Sequence, residues 1–165
     1  MGVDKQSRGA KDAVQSLLLV EDNDDDARLA IRALEGCGVR LDVARARDGH
    51  EALCMLGLEP GSQSTQQPPD LVICDVKMPR VGGIEVLALV RSDERLRDVP
   101  IVMLSTSAQP SDVDRAMELG ACDYCVKPFD AEEYAVCVRE IVKRWLSPAG
   151  LDVTPPCLLE TAAEA

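Results

Sequence analysis

The sequence predicts an α/β fold in which a doubly wound, five-stranded parallel sheet has helices on both faces. Short apolar runs alternate five times with patterns of helical period along the chain. Most of these runs lack an alternation of apolar and polar residues, which is typical of parallel strands buried on both faces. Hydrophobic residues make up 46% of the 165 residues and aromatic residues only 2%, so the core is expected to be aliphatic.

The first two strands and helices are predicted from the N-terminal part of the chain. Residues 17–20 (LLLV) indicate a strand, and a short second strand is predicted around residues 40–45. Asp48 and Glu51, three residues apart, resemble a capping box and predict the start of the second helix. The first helix is predicted because four apolar residues recur at i, i+3, i+4 and i+7: Ala27, Ala30, Ile31 and Leu34.

Three further strand–helix pairs follow a loop at residues 59–69 that is rich in glycine, serine, glutamine and proline. Ser111 and Asp114 suit the cap of the fourth helix, and Asp130 and Glu133 suit that of the fifth. Pro148 is expected to end the fifth helix. The predicted strands are 70–75 (DLVICD), 101–105 (IVMLS) and 123–126 (DYCV). Helices are predicted around 83–91 and 111–119, and a last helix between its cap and Pro148. The apolar residues of the fifth helix recur at helical spacing: Val138, Ile141, Val142 and Trp145.

A single domain is predicted at residues 16–146, between two tails. Residues 1–15 are mostly polar and are expected to form a flexible N-terminal tail. Residues 147–165 contain three prolines and no clear period, so this C-terminal tail is expected to be poorly ordered.

Charge and cysteine content limit the classes of partner. The net charge is −11, with 29 acidic against 18 basic residues. Nucleic acids and anionic membranes require a basic surface, so neither is an expected partner. The sequence has no apolar leader and no run of roughly 18 apolar residues that could span a membrane. With seven cysteines, an odd number, it is expected to be a reduced, cytoplasmic protein.

Two local features could indicate metal or redox chemistry. Cys122 and Cys125 form a C-x-x-C pattern, which occurs in zinc and redox sites. Residues i and i+3 of a strand point to opposite faces, so these two thiols are not expected to meet. His50, the only histidine, is expected to be a surface residue near the start of the second helix.

Functional side chains are predicted where four of the strands end. The carboxyl ends of parallel strands share one edge of the sheet, where ligand crevices lie. Three carboxylates at one place require a cation, and Mg²⁺ prefers such oxygen ligands while leaving room for phosphate oxygens. An aspartate beside Mg²⁺ and a lysine can act as a nucleophile towards a phosphoryl group. The residues at this edge are Glu21, Asp22, Asp75, Ser105 and Lys127.

The acidic run that begins at Glu21 divides into two parts. Asp24, Asp25 and Asp26 fall in the first turn of the predicted first helix, where carboxylates interact favourably with the helix dipole. We interpret these three as a solvated helix start. Glu21 and Asp22 alone are assigned to the site.

Four motifs in this order and spacing resemble the receiver domain of bacterial two-component response regulators. They are VEDNDDD, DLVICDVKMP, IVMLSTSA and YCVKPFD, and the resemblance covers about residues 17–146. It implies a flavodoxin-like sheet with strand order 2-1-3-4-5, and it makes residues 16–146 a receiver domain.

The resemblance also implies a role for each residue at a matching position. Asp75 is the expected phosphoacceptor, assisted by Lys127 and Ser105. Glu21 and Asp22 match the acidic pair that holds Mg²⁺. Asp75 itself and the backbone carbonyl of Lys77 are further expected ligands of the ion.

Ser105 and Tyr124 match the two switch residues of the family. Phosphorylation is expected to turn the Ser105 hydroxyl towards the phosphoryl group and so vacate space into which Tyr124 rotates. The family further implies a cis bond between Lys127 and Pro128, although trans is generally favoured.

The chain departs from the family at the loop after Asp75. Gly82 and Gly83 stand where members often have Asp-Gly, and neither position is an expected ligand. Lys77 and Ser107 occupy positions that influence dephosphorylation in relatives, which leaves the lifetime of the phosphorylated state open.

The function implied is that of a single-domain response regulator, which is not an enzyme acting on a separate substrate. A sensor histidine kinase is the expected partner, and EDNDDDARLA, SDERLRDVPIVMLSTSA and KRWL resemble regulators paired with phytochrome-type kinases. A homodimer through the fourth helix, fifth strand and fifth helix is also expected, with Trp145 at the interface, because it is a large apolar residue near a helix end.

Two alternatives stay open. A phosphohydrolase of the haloacid-dehalogenase type also uses an aspartyl nucleophile, but it requires a second aspartate two residues later, where this chain has Lys77. A pseudo-receiver would signal by binding alone, which does not require the complete set of site residues found here.

Overall fold

The computed structural model describes residues 13–61 and 67–146, in which five strands alternate with five helices. The predicted C-terminal tail with Pro148, most of the N-terminal tail and the centre of the loop at 59–69 lie outside these residues. The elements are β1 (Gln15–Val20), α1 (Asp24–Glu35), β2 (Leu41–Ala46), α2 (Gly49–Leu56), β3 (Leu71–Asp75), α3 (Gly83–Ser92), β4 (Ile101–Ser105), α4 (Pro110–Glu118), β5 (Asp123–Val126) and α5 (Ala131–Leu146).

The strands form one parallel sheet in the order β2-β1-β3-β4-β5, which confirms the predicted fold. The order reverses between β1 and β3, and ligand crevices of open parallel sheets lie at such a point. Val20 of β1 is paired with Cys74 of β3. This pairing brings the next two residues side by side at the carboxyl edge: Glu21, which follows β1, and Asp75, which ends β3.

Two apolar clusters cover the two faces of the sheet. Residues of α2, α3 and α4, such as Leu53, Val86 and Ala116, pack with Leu18 and Val20 of β1. Residues of α1 and α5 pack with Leu17 and Leu19 of the same strand. Successive side chains of β1 thus enter opposite clusters, as expected for a strand buried on both faces.

Helix caps follow the predictions in two cases out of three. The Asp48 carboxylate accepts a hydrogen bond from the Glu51 amide at 2.8 Å, and the Asp130 carboxylate accepts from the Glu133 amide at 3.0 Å. The helix α4 was predicted, but its predicted cap by Ser111 and Asp114 was wrong. That helix begins at Pro110 after Gln109, and Gln109 makes no side-chain cap bond. Proline is favoured at the first helical position because its fixed φ suits a helix and its missing N–H would have no partner in the helix.

The C-terminal helix α5 buries Val138, Ile141 and Val142, while Trp145 is half-buried against the same cluster. The two cysteines of the C-x-x-C pattern separate as expected. Cys125 is buried in the cluster of α1 and α5, whereas Cys122 Sγ lies 4.0 Å from the Arg91 guanidinium of α3. Among the described helices, none combines the length and apolar character needed to cross a membrane.

Candidate functional site

The carboxyl edge of the sheet collects the predicted site residues. Glu21 follows β1, Asp75 and Ser105 end β3 and β4, and Lys127 follows β5. All four are at most 8% exposed, whereas Asp22 is exposed to solvent. A set of buried polar groups at one place requires mutual pairing, since burying an unpaired charge is costly.

The carboxylates of Glu21, Asp22 and Asp75 converge. One oxygen of each lies within 4.8 Å of the others, a spacing that suits ligands of a single ion. Oxygen ligands with an exposed side for water suit Mg²⁺. The Lys77 amide donates to Asp75 Oδ1 at 3.4 Å. The role of the Lys77 carbonyl as a further ligand stays a prediction.

Lys127 lies at the centre of the acidic side chains. Its Nζ is 2.6 Å from Glu21 Oε2, 3.1 Å from Asp26 Oδ2 and 3.4 Å from Asp75 Oδ2. The ammonium thus offsets part of the charge that the carboxylates bring to this edge. We refer to Glu21, Asp22, Asp75 and Lys127 as the strand-end cluster.

Burial changes the protonation equilibria in the strand-end cluster. It raises the pKa of Glu21 to about 7, although the hydrogen bond from Lys127 acts in the opposite direction. It also raises the pKa of Asp75, again against the effect of the Lys127 ammonium. Burial lowers the pKa of Lys127, but the hydrogen bond to Glu21 and the charge of Asp75 raise that pKa by more, so the lysine stays charged.

Asp26 contacts the site, and its interpretation as a purely solvated residue was wrong. Asn23 caps α1 by accepting from the amides of Asp25 and Asp26, which fixes Asp26 at the third helical position. Helical side chains tilt towards the N-terminus of the helix, which here faces the strand ends. The sequence indicates only where α1 begins, through the capping residue Asn23; the contact of Asp26 with Lys127 depends on the three-dimensional fold.

Ser105 and Tyr124 are connected through Ser107. The Ser107 amide donates to Ser105 Oγ at 3.0 Å, and the Tyr124 hydroxyl donates to the Ser107 carbonyl at 2.9 Å. The Tyr124 side chain is already buried, so the inward rotation expected on phosphorylation is not needed to bury the ring. Sequence patterns could not predict this buried conformation of the Tyr124 side chain, since its hydrogen bond is to Ser107 in the loop between β4 and α4.

Close packing explains one glycine of the loop after Asp75. A Cβ at Gly83 would lie 2.1 Å from the Asp75 carbonyl oxygen, so no larger residue fits there without a backbone shift. Gly82 is the N-cap residue of α3 and makes no side-chain hydrogen bond there. An aspartate at this position, as in the Asp-Gly of many family members, could accept a bond from the first amides of the helix.

The expected cis bond between Lys127 and Pro128 is not found. Every described peptide bond is trans, this one included. The trans form of an X–Pro bond is favoured by about 0.5–1 kcal/mol in the absence of other constraints, and Lys127 reaches its three carboxylate partners from it.

Comparisons with known proteins agree with this geometry. The family model of the response regulator receiver domain matches residues 17–147. The probable methanogenesis regulatory protein FilR2 of Methanothrix harundinacea is 38% identical over 130 residues, which are 79% of this chain and 83% of FilR2. Some relatives are longer: the chain spans 49% of the DNA-binding transcriptional regulator RpaA of Synechocystis, but 98% of the response regulator DivK of Brucella ovis.

Two solved structures are similar over most of their length. The phosphorylated cyanobacterial phytochrome response regulator RcpA has a TM-score of 0.76 at 36% identity, covering 83% of this chain and 97% of RcpA. The Mn²⁺-bound response regulator Rcp1 has a TM-score of 0.74 at 30% identity, and the match covers 86% of this chain and 99% of Rcp1. With the family match, the strand order and the strand-end cluster together, the chain belongs to the family of response regulator receiver domains.

Proposed function

We propose that the chain is a single-domain response regulator that accepts a phosphoryl group on Asp75 from a sensor histidine kinase, in a Mg²⁺-dependent reaction. The observation that supports this most is the position of the Asp75 carboxylate. It is buried at the sheet edge, shares a possible ion position with Glu21 and Asp22, and lies 3.4 Å from Lys127 Nζ.

The transfer would form a bond between phosphorus and an Asp75 oxygen as the bond between phosphorus and the kinase imidazole breaks. When bound, Mg²⁺ would neutralise charge on the transferring oxygens. Asp22, Asp75 and the Lys77 carbonyl would hold the ion directly, with Glu21 acting through water because its carboxylate is already bonded to Lys127 at 2.6 Å. That Rcp1 has been solved with Mn²⁺ supports a divalent ion in this family.

Lys127 and Ser105 would stabilise the phosphorylated state. The ammonium is near enough to Asp75 to pair with a phosphoryl oxygen after a small movement. The Ser105 hydroxyl is buried at the end of the neighbouring strand and can donate to the same group. Rotation of that hydroxyl would alter its bond from the Ser107 amide, and Ser107 in turn accepts from Tyr124.

The surface formed by α4, β5 and α5 would pass the signal to other proteins. Each of these elements exposes one large apolar side chain, Met117, Val126 and Val136, at 44%, 44% and 46%. We propose a homodimer through this surface, with half-buried Trp145 at its margin. The net charge of −11 argues against nucleic acid as the target, and output would run through protein contacts or onward phosphotransfer in a phosphorelay.

We further propose that the partner is a phytochrome-type kinase and that both proteins act in the cytoplasm. RcpA is described as a cyanobacterial phytochrome response regulator, and AtBRR, 37% identical, as a bacteriophytochrome response regulator. The free cysteines suit a reducing compartment.

Incubation with Mg²⁺ and acetyl phosphate tests the proposed function. A receiver gains the mass of one phosphoryl group as an acid-labile adduct. Continuous release of phosphate without an adduct would instead identify a hydrolase. No reaction would identify a pseudo-receiver that acts by binding alone.

Sedimentation tests the proposed homodimer with a matched pair of variants. Val126→Glu, on β5, should shift the protein towards monomer because the charge would be buried in the interface. Leu89→Glu, on α3 and similarly exposed at 42%, is the control and should leave the dimer intact. Equal behaviour of the two variants and the wild type would contradict this interface.

A further inference from the structure

Three metal-binding side chains meet on the surface of α2, and none belongs to the strand-end cluster. They are His50, Cys54 and Glu59. One ligand atom of each lies within 4.8 Å of the others. We refer to these three residues as the helix-surface cluster.

Local backbone geometry brings the three side chains together. His50 and Cys54 are four residues apart on α2, so they lie on one face of the helix. The helix ends at Gly57, which has a φ of 73°, a left-handed conformation that favours glycine. The Leu58 amide donates to the Leu53 carbonyl at 2.9 Å across this turn. The turn directs the chain back so that Glu59 reaches the His50 ring.

Cys54 and Glu59 contact the two different nitrogens of the His50 ring. Cys54 Sγ is 3.8 Å from His50 Nε2, and Glu59 Oε1 is 3.1 Å from His50 Nδ1. In a tetrahedral zinc site, bonds of about 2.0–2.1 Å to nitrogen and about 2.3 Å to sulfur place the nitrogen and the sulfur about 3.6 Å apart. The distance from Cys54 Sγ to His50 Nε2 is close to this value. One imidazole binds a zinc ion through a single nitrogen, so an ion between Cys54 Sγ and His50 Nε2 would gain Glu59 only after its carboxylate leaves Nδ1 and turns towards Nε2. The reach is short, because one ligand atom of each residue already lies within 4.8 Å of the others.

Charge and ligand type select the ion. A thiolate and a carboxylate with a neutral imidazole balance the charge of a divalent cation. Thiolate and imidazole ligands favour Zn²⁺ over Mg²⁺, which prefers oxygen. The helix-surface cluster differs in this respect from the strand-end cluster, whose possible ligands are all oxygen atoms.

We propose that His50, Cys54 and Glu59 form a surface Zn²⁺ site, with water in the fourth position. Binding releases the thiol proton of Cys54 to solvent as the bond between sulfur and zinc forms. The His50 side chain is 55% exposed, so the ion and its water have direct access. The site would join α2 to Glu59, three residues beyond the end of that helix.

Cobalt titration tests the site directly, since a thiolate bound to Co²⁺ gives a charge-transfer absorption that oxygen ligands do not. The reduced protein is titrated with Co²⁺ in excess Mg²⁺, which occupies the carboxylates of the strand-end cluster. The wild type should reach the full band at one equivalent, and Zn²⁺ should abolish the band. Cys54→Ser should lose the band, and His50→Gln should bind Co²⁺ at least roughly tenfold more weakly.

Cys122→Ser is the matched control, because Cys122 is a partly exposed thiol outside the cluster. It should retain the full band. The proposal is overturned if Cys54→Ser keeps the band, if Cys122→Ser loses it equally, or if the wild type shows none. Competition with a chromophoric zinc chelator provides a second measurement, in which wild type and Cys122→Ser should bind Zn²⁺ equally and Cys54→Ser more weakly.

Discussion

The strand-end cluster and the helix-surface cluster hold ligand side chains in two different ways. Lys127 and Glu21 are 106 positions apart in the sequence and are at most 8% exposed. His50 and Glu59 are nine positions apart, and the His50 side chain is 55% exposed. The first cluster depends on the packing of several strands, whereas the second needs only one helix and one turn.

This difference determines how strongly each cluster affects the free energy of unfolding. Charges buried at the sheet edge lose water and must be offset by one another, so each partner depends on the rest. The side chains of the helix-surface cluster keep much of their water, and an ion pair such as that of His50 with Glu59 contributes at most about 1 kcal/mol. The buried cluster is thus coupled to stability and the exposed one is nearly independent of it.

Removal of Lys127 should have the largest effect on stability. Lys127→Met leaves Glu21 and Asp75 buried without their counter-charge, and the free energy of unfolding should fall by about 3–5 kcal/mol without Mg²⁺. Urea denaturation measures this. Lys143→Met is the control, because Lys143 pairs with Glu140 at an exposed position and its loss should cost less than about 1 kcal/mol. Equal stability of the two variants would show that the buried pairing contributes nothing.

Asp22→Ala should have an intermediate effect, on ion binding alone. Its carboxylate is the exposed member of the strand-end cluster, so its loss should weaken Mg²⁺ binding roughly tenfold with little change in folding. Calorimetric titration provides the affinity. Asp25→Ala removes a carboxylate that is 88% exposed and pairs with Arg28, and it should bind Mg²⁺ like the wild type. An unchanged affinity in Asp22→Ala would remove Asp22 from the site.

His50→Gln should have the smallest effect in the absence of metal. The exposed pair with Glu59 and the contact with Cys54 hold no buried charge, so the free energy of unfolding should change by no more than about 0.5 kcal/mol. Thermal unfolding in the presence of a chelator measures this. A decrease as large as that of Lys127→Met would mean that the two clusters do not differ in their coupling to the fold.

The strand-end residues could be predicted from the sequence, whereas several contacts between distant elements could not. Apolar runs and the residues that end them indicate the strands and the converging carboxylates, because strand ends follow directly from hydrophobic patterning. Three features depend on three-dimensional contacts instead: the approach of Asp26 to Lys127, the buried rotamer of Tyr124 and the trans bond before Pro128. None of these has a periodic signal.

The helix-surface cluster was missed for a different reason. His50 and Cys54 are visible in the sequence at helical spacing, but Glu59 joins them only through the left-handed turn at Gly57. The C-x-x-C pattern of Cys122 and Cys125 is the more conspicuous signal, yet the strand separates those two thiols. Sequence spacing identifies a site only together with the local backbone that it occupies.

The most direct test of the account is the mass of the protein after reaction with acetyl phosphate and Mg²⁺, for wild type and Asp75→Asn in parallel. Asparagine removes the nucleophile at nearly constant shape, so the fold should be retained. The account predicts one added phosphoryl group on the wild type and none on Asp75→Asn. An adduct of equal size on Asp75→Asn, or no adduct on the wild type, would contradict it.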